Sequence, residues 1–368
     1  MRIAIMGAGS IAYGTAAYLA NEGHDLVLWS PSGQRARGLA AGEPLVAKGA
    51  VEFSGPVAVA GAAAEAVQGA DVVIVALPVN GHRMVLDAIA PHLTPEQTVI
   101  ISSHGSFGAL YLSRLLAGRG ITVPIVVWGT TVVTGRQAGD TAVNVSTVRQ
   151  RLDVATLPET ALDHGLALCR ELFGDRFVPR DGMLAIALSN LNPQNHLGIA
   201  LLNLTRMEKG ETWGQGEYVT PAVGRVIEAL DAERLAIAEA FGLKVRNVFE
   251  HFSLSFHVPE ASVHEMNQQM HAQGNGGQGP TTFDSRYIFE DVPYGLAMTA
   301  LLGRIAGVPA TLHEAGVTMF SAAAGRDLAA DNDLLPSLGL DRLSPDALDR
   351  LCRRGFAPKG GRDEQSSR

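Results

Sequence analysis

The strongest constraint on this chain lies in its first fifteen residues. A short apolar run, Arg2-Ile3-Ala4-Ile5-Met6, leads directly into Gly7-Ala8-Gly9-Ser10-Ile11-Ala12-Tyr13-Gly14. The run predicts a buried strand, residues 10–21 a helix, and residues 25–29 a second strand. In such a unit Gly7 permits the tight turn, Gly9 lets the backbone approach a pyrophosphate, and Ala12 supplies the small position where helix packs on strand. Ser10 and Ile11 head the helix, whose free N–H groups and positive dipole end face the diphosphate. A plain strand–helix turn with incidental glycines is the alternative. The strand, the helix and the following strand all in place favour dinucleotide binding.

The pattern continues. Residues 70–77 form a continuous β-branched run, as in a parallel strand covered on both faces, and Leu77-Pro78 closes it. Residues 98–102 and 123–127 read as further strands, separated by helical stretches. This alternation predicts an α/β fold, an N-terminal Rossmann domain with a doubly wound parallel sheet over residues 1–180. From Gly182 onward β-branched runs are scarce and helical periodicity dominates. An all-α domain is expected over 181–356, containing a Gly/Gln-rich loop at 272–283, with a flexible tail at 357–368. A length of 368 residues suits two domains.

Composition narrows the function. With 46% hydrophobic and 18% charged residues the chain is globular. A net charge of −8 and no block of five like charges argue against nucleic acid as main partner. Cys169 and Cys352 are far apart and lack metal-type spacing, so no metal site and a reducing, cytoplasmic setting are expected. Glycines interrupt residues 1–20, which therefore do not read as a signal peptide, and no run of about 18 apolar residues predicts a membrane span.

The end of the second strand selects the cofactor. An Asp or Glu there would bind the ribose hydroxyls of NAD. This chain has Ser30, Pro31, Ser32, Gly33, Gln34 and Arg35, with no carboxylate from Trp29 to Gly42. Ser30 and Ser32 can donate to a 2′-phosphate and Arg35 can neutralise it. NADP is expected in preference to NAD, although Arg35 and Arg37 also read as solvated helix residues.

Two segments of the second domain carry further chemistry. On a helix, Asn192, His196, Ile199 and Asn203 fall on one stripe. Their bland reading is capping and packing, with Asn192 as N-cap before Pro193. Their functional reading is an acid/base histidine flanked by substrate-orienting amides. The second segment is Ser285-Arg286-Tyr287-Ile288-Phe289-Glu290-Asp291-Val292-Pro293-Tyr294-Gly295. It reads either as a loop leading into a helix, or as a site in which Arg286 clamps a carboxylate and Asp291 holds an imidazole in one tautomer.

Taken together, these motifs resemble the opine dehydrogenase family of the octopine/nopaline type, from Met1 to about Ala324. The resemblance implies that His196 and Asp291 form the catalytic pair, and that Asn192, Asn203 and Arg286 bind substrate. It implies NAD(P)H-dependent reductive condensation of a 2-oxo acid with the amino group of an amino acid or amine. Leu197 departs from the family pattern, which has Pro directly after the His. Pro78, His82 and the turn Ser102-Ser103-His104-Gly105 also resemble the family. Those strand ends face the nicotinamide half of a cofactor, yet His82 and His104 are read as ordinary surface residues.

Two other functions remain open. One is a 2-oxo-acid or imine reductase of ketopantoate-reductase type, which needs no amine. Such enzymes lean on a lysine–glutamate pair, whereas Lys209 and Lys244 sit in no motif. The other is a dinucleotide-binding sensor without turnover. The apolar helices expected at 294–306 and 312–324 suggest a homodimer.

Overall fold

The computed structural model describes residues 1–358. The described residues divide into two compact units: 1–187 together with 349–358, and Leu188–Leu348.

The first unit is built on an eight-stranded sheet. Its strands are β1 (Arg2–Met6), β2 (Asp25–Trp29), β5 (Ala58–Val59), β6 (Val72–Val75), β7 (Thr98–Ile101), β8 (Ile125–Trp128), β11 (Leu152–Leu157) and β12 (Phe177–Pro179). Their order is β12-β11-β8-β7-β6-β1-β2-β5, and the direction of winding reverses between β1 and β6. Neighbours are parallel except for β8 and β11, which pair antiparallel. In open α/β sheets a ligand lies outside the strand carboxyl ends at such a reversal. The central strands are Val- and Ile-rich and, apart from Arg2 at the start of β1, fully buried, as strands covered on both faces must be.

A second, four-stranded sheet is a feature the sequence reading did not anticipate. It comprises β3 (Leu45–Gly49), β4 (Phe53–Gly55), β9 (Val133–Gly139) and β10 (Ala142–Val148), in the order β4-β3-β10-β9. The helix Ser10–Asn21 packs against it as well as against the main sheet. This explains why Ala12, Tyr13, Gly14, Ala16, Ala17 and Leu19 are all buried, leaving little polar face.

The unit boundary differs from the expected one at residue 180. Most of the helix Gly182–Ser189 belongs to the first unit, and so does the end of the last helix, Pro345–Arg354. Arg353 is the reason. Its guanidinium reaches Asp181 at 2.9 Å, Glu159 at 3.1 Å and Asp349 at 2.8 Å. Beyond it, the Phe356 N–H donates to Ser113 Oγ at 2.9 Å. The expected tail at 357–368 lies, from 359 on, outside the described residues.

Among the described residues the second unit has no named strand. Its longest helix, Pro221–Ala240, packs against Asn192–Leu202 and Val263–Ala272. Capping boxes start two of its helices: Asn247 with Glu250, and Ser262 with Glu265. Arg234 and Asp231 form a buried pair with every pole engaged. Arg234 donates to Asp231 Oδ1, Leu188 O and Arg246 O, and Asp231 Oδ2 accepts the Val248 N–H. Such pairing is what allows a charged pair to be buried. The helices Ala297–Ala306 and Thr311–Ala324 send Met298, Ala300, Leu302 and Phe320 into the core, while Leu312 and Met319 stay exposed. No helix among the described residues is long and apolar enough to cross a membrane.

Candidate active site

The helix Asn192–Leu202 positions the histidine. Leu191 is the N-cap residue, so Asn192 lies inside the helix, exposed, with its N–H donating to Asn190 Oδ1 at 3.1 Å. The helix runs unbroken through Leu197, where the family pattern has Pro. Leu197 is buried against Gly316, where an added Cβ would lie 1.9 Å from Leu197 Cδ1. The substitution is absorbed by packing.

His196 and Asp291, 95 residues apart in sequence, meet through His196 Nδ1 and Asp291 Oδ2 at 2.7 Å. Both are buried, at 8% and 6% exposure. Asp291 stands immediately before a π-helical turn, Val292–Leu296. Side chains donate to two of that turn's carbonyls. Asn332 Nδ2 donates to Pro293 O at 2.9 Å, and Thr299 Oγ1 to Gly295 O at 3.0 Å. Single π turns inside helices concentrate at functional sites. Gly295 brings the turn against the histidine helix, since a Cβ there would lie 2.2 Å from Pro193 Cγ. With the Asp291 carboxylate accepting from Nδ1–H, Nε2 is the nitrogen left for a substrate.

The other expected residues separate by environment. Arg286 precedes Asp291 by five residues and is 59% exposed; it reaches Glu290 only at 3.6 Å, so its guanidinium is accessible to a carboxylate. Asn203 is buried, and its Nδ2 donates to Ile199 O at 3.0 Å where the helix ends. Two neighbours of His196 have buried carbonyl oxygens without a protein partner, Gln194 Oε1 and Asn195 Oδ1. The residue that sequence reasoning missed is Tyr287. Its ring stacks on the His196 imidazole, with centroids 3.6 Å apart and planes inclined by 9°. Its presence in the quoted motif was visible, but its contact was not.

In the first unit the turn after β1 has the shape a diphosphate needs. Gly7 adopts φ +143°, and a Cβ would lie 2.4 Å from Ala76 O. Gly9 caps the helix Ser10–Asn21 without a side-chain hydrogen bond, so the first N–H groups are not claimed by a cap side chain. Ala12 is buried, and Ser10, Ile11, Ser30 and Leu77 are half-buried. Ser32, Arg35 and Pro78 are exposed. Tyr13 Oη donates to Arg35 O at 2.5 Å, and Arg35 Nη1 lies 3.8 Å from where a Gly9 Cβ would be. The arginine thus reaches over the phosphate turn, and the residues present fit a dinucleotide.

His82 and His104 correct the sequence reading: both are buried, at 0% and 3% exposure. His82 Nε2–H donates to Leu77 O at 3.1 Å. Burial pushes His82 down to about 4; burial, with the neighbouring His82, pushes His104 down to about 3. Both are therefore neutral at ordinary pH. His104 lies within a turn in which Ser103, Ser106 and Phe107 all have positive φ, uncommon for non-glycine residues. A cavity of about 460 Å³ lined by Val67, Asp71, His92 and Gln97 lies at the opposite, amino-terminal ends of β6 and β7 and holds none of the cofactor residues.

A Rossmann domain with a phosphate turn, joined in one chain to a helical domain carrying a buried histidine–aspartate pair, defines a nicotinamide-dependent oxidoreductase. Residues 179–324 match the family described as NAD/NADP octopine/nopaline dehydrogenase, alpha-helical domain, and residues 2–104 match NADP oxidoreductase coenzyme F420-dependent. The chain is 32% identical to an opine dehydrogenase of Arthrobacter sp. (strain 1C), over 93% of this chain and 96% of that protein. Octopine dehydrogenase solved with NADH and L-arginine shares the fold, with a TM-score of 0.79 at 17% identity over 95% of this chain and 97% of that one. Yersinopine dehydrogenase with NADP+ bound does so with a TM-score of 0.71 at 16% identity, over 92% and 98%. The chain belongs to the opine dehydrogenase family, NAD(P)-dependent dehydrogenases that act on a CH–NH bond.

Proposed function

We propose that this chain joins a 2-oxo acid to the amino group of an amino acid or amine, with His196, Asp291 and Arg286 in defined roles. The observation that carries the reading is the 2.7 Å bond between His196 Nδ1 and Asp291, which leaves Nε2 for a substrate. The amine adds to the carbonyl carbon, water leaves, and the resulting imine carbon takes a hydride. NAD(P)H supplies that hydride when bound. One proton is consumed and one water released, and the product is a secondary amine. Nε2 of protonated His196 donates the proton as the carbonyl oxygen departs, and in the reverse direction the neutral imidazole accepts it. Asp291 fixes the tautomer and balances the imidazolium charge. Arg286, exposed and only loosely paired, binds the oxo-acid carboxylate. Asn192 and Asn203 are the weaker members of the set, since one is exposed at the helix start and the other bonds its own helix.

NADPH is the proposed reductant. Ser30 occupies the position of the ribose-binding carboxylate, and Arg35 stands over the phosphate turn beside it. Ser30→Asp shifts preference toward NADH by repelling a 2′-phosphate. A parent enzyme that already uses NADH as efficiently contradicts the assignment. The test of the reaction is oxidation of NADPH followed at its absorbance band, with 2-oxo acids offered alone and with amines. The reading requires both co-substrates. Equal rates without an amine would favour a simple oxo-acid reductase. For the homodimer, Leu312 and Met319 are the exposed apolar support, and a monomer mass by light scattering at micromolar concentration excludes it.

A further inference from the structure

We propose that Tyr287 is a positioning residue for His196, and that Gln215 with the glycine-rich segment Gly274–Gly279 exists to hold it in place. The inference rests on the role proposed for His196. The stack is close and nearly parallel, at 3.6 Å and 9°. An imidazole held this way can turn neither about its own axis nor away from Asp291 without opening the contact. Asp291 acts in the ring plane and Tyr287 from one face, and together they leave Nε2 as the working edge.

The tyrosine is itself anchored. Its hydroxyl donates to Gln215 Oε1. Gln215 is fixed by its backbone, whose N–H donates to Gly277 O at 3.1 Å, and the Gly216 N–H donates to Gly276 O at 3.0 Å. Trp213 closes the structure: Nε1 donates to Pro280 O at 3.0 Å, and the indole covers Gly279, where a Cβ would lie 2.2 Å from Trp213 Cε2. The segment that reads in sequence as a Gly/Gln-rich loop is thus pinned to 213–216 through Gly276, Gly277 and Gly279. Its glycines admit the close backbone approach, and the product of that approach is one anchored amide oxygen under the tyrosine.

Other charges near the histidine helix are engaged elsewhere. On Pro221–Ala240, Asp231 pairs with Arg234 and Glu233 with His313. Arg206, on the following helix Leu204–Glu208, pairs with Glu211, and Arg286 leans to Glu290. Of these carboxylates Asp291 is the one bonded to His196.

Three replacements test the clamp in the full-length enzyme. Tyr287→Phe keeps the ring and loses the Gln215 bond; Tyr287→Leu loses the ring. Tyr287→pentafluorophenylalanine keeps its shape and reverses the ring's charge distribution, so a folding defect in the leucine variant does not end the test. The readouts are kcat and KM of the reductive reaction measured separately, the histidine ring signals of the isotope-labelled protein by NMR, and NADPH affinity. The expected result for the leucine and fluorinated variants is displaced His196 ring signals and kcat down about tenfold, with the KM values and NADPH affinity within about twofold. Phenylalanine should lose no more than about threefold in kcat. An unchanged kcat in both ring-altered variants overturns the clamp. If instead His196→Ala keeps near-normal turnover, it is the underlying catalytic reading that has failed.

Discussion

The helical unit pairs His196 with Asp291 and His313 with Glu233, and the proton-transfer role proposed above falls to the first alone. His196 meets Asp291 at 2.7 Å and His313 meets Glu233 at 2.8 Å, each through Nδ1. The two are neighbours, because Gln194, two residues before His196 on its helix, donates to His313 Nε2 at 3.0 Å. The difference is the second nitrogen. His313 is wholly buried with both ring nitrogens committed. Its carboxylate also accepts the N–H groups of Leu312 and His313, so Glu233 caps the helix Thr311–Ala324 from a neighbouring helix. Burial raises the Glu233 carboxyl, but the His313 bond and the two backbone donors outweigh it and hold the group below its usual value. A histidine next to a carboxylate is therefore not by itself a catalytic signature; what the proposed proton transfer needs in addition is a second ring nitrogen that no protein group engages, as in His196.

This contrast can be broken from either side. The largest effect belongs to His196→Ala, which removes the proton donor and should cost on the order of 10²–10⁴ in turnover per folded molecule, beyond any lowering of the melting temperature from leaving Asp291 unpaired. The measurement is steady-state NADPH oxidation beside a thermal melt. His313→Leu should do the reverse. It strips Glu233 and Gln194 of their shared partner, so denaturant titration should show a loss of roughly 2–4 kcal/mol, with turnover per folded molecule within about threefold. A catalytic collapse in that variant at unchanged stability would erase the distinction.

The smallest effect concerns the first unit. His82 and His104 are held neutral, at about 4 and about 3 against an ordinary 6.5. The unfolded chain takes up those protons first as pH falls. Their contribution to stability is thus fully present above about 6.5 and is lost progressively below it. Between pH 6.5 and 5.5 each should cost roughly 1 kcal/mol. The combined His82→Gln and His104→Gln variant should show a flatter pH dependence of its denaturation midpoint. An unchanged slope would place the acid sensitivity elsewhere.

The parts of the molecule legible in sequence were those governed by local pattern. The strands β1, β2, β6 and β7 announce themselves as short β-branched or apolar runs, and the phosphate turn as glycines in a fixed frame. The four-stranded sheet did not, because it joins β3 to the distant β10, and bulges interrupt the β9–β10 register. His196 and Asp291 could be paired only through the resemblance of their motifs, since no local rule spans 95 residues. The burial of His82 and His104 depends on how two turns pack, Gly108 standing where a Cβ would meet His82 Nδ1 at 3.2 Å. Arg353 likewise draws its helix to the first unit through partners far away in sequence.

The most direct test of the central claim is a double-mutant cycle on His196→Ala and Asp291→Asn, read as turnover with saturating NADPH, oxo acid and amine. If the two side chains act as one acid/base unit, Asp291→Asn alone lowers turnover by disturbing the tautomer and removing the counter-charge. The double variant is then little worse than His196→Ala alone, because residues that act together are not additive. NADPH affinity stays within about twofold throughout. Losses that multiply in the double variant, or a His196→Ala enzyme that turns over normally and merely melts earlier, would show that the pair is structural and that the chemistry lies elsewhere.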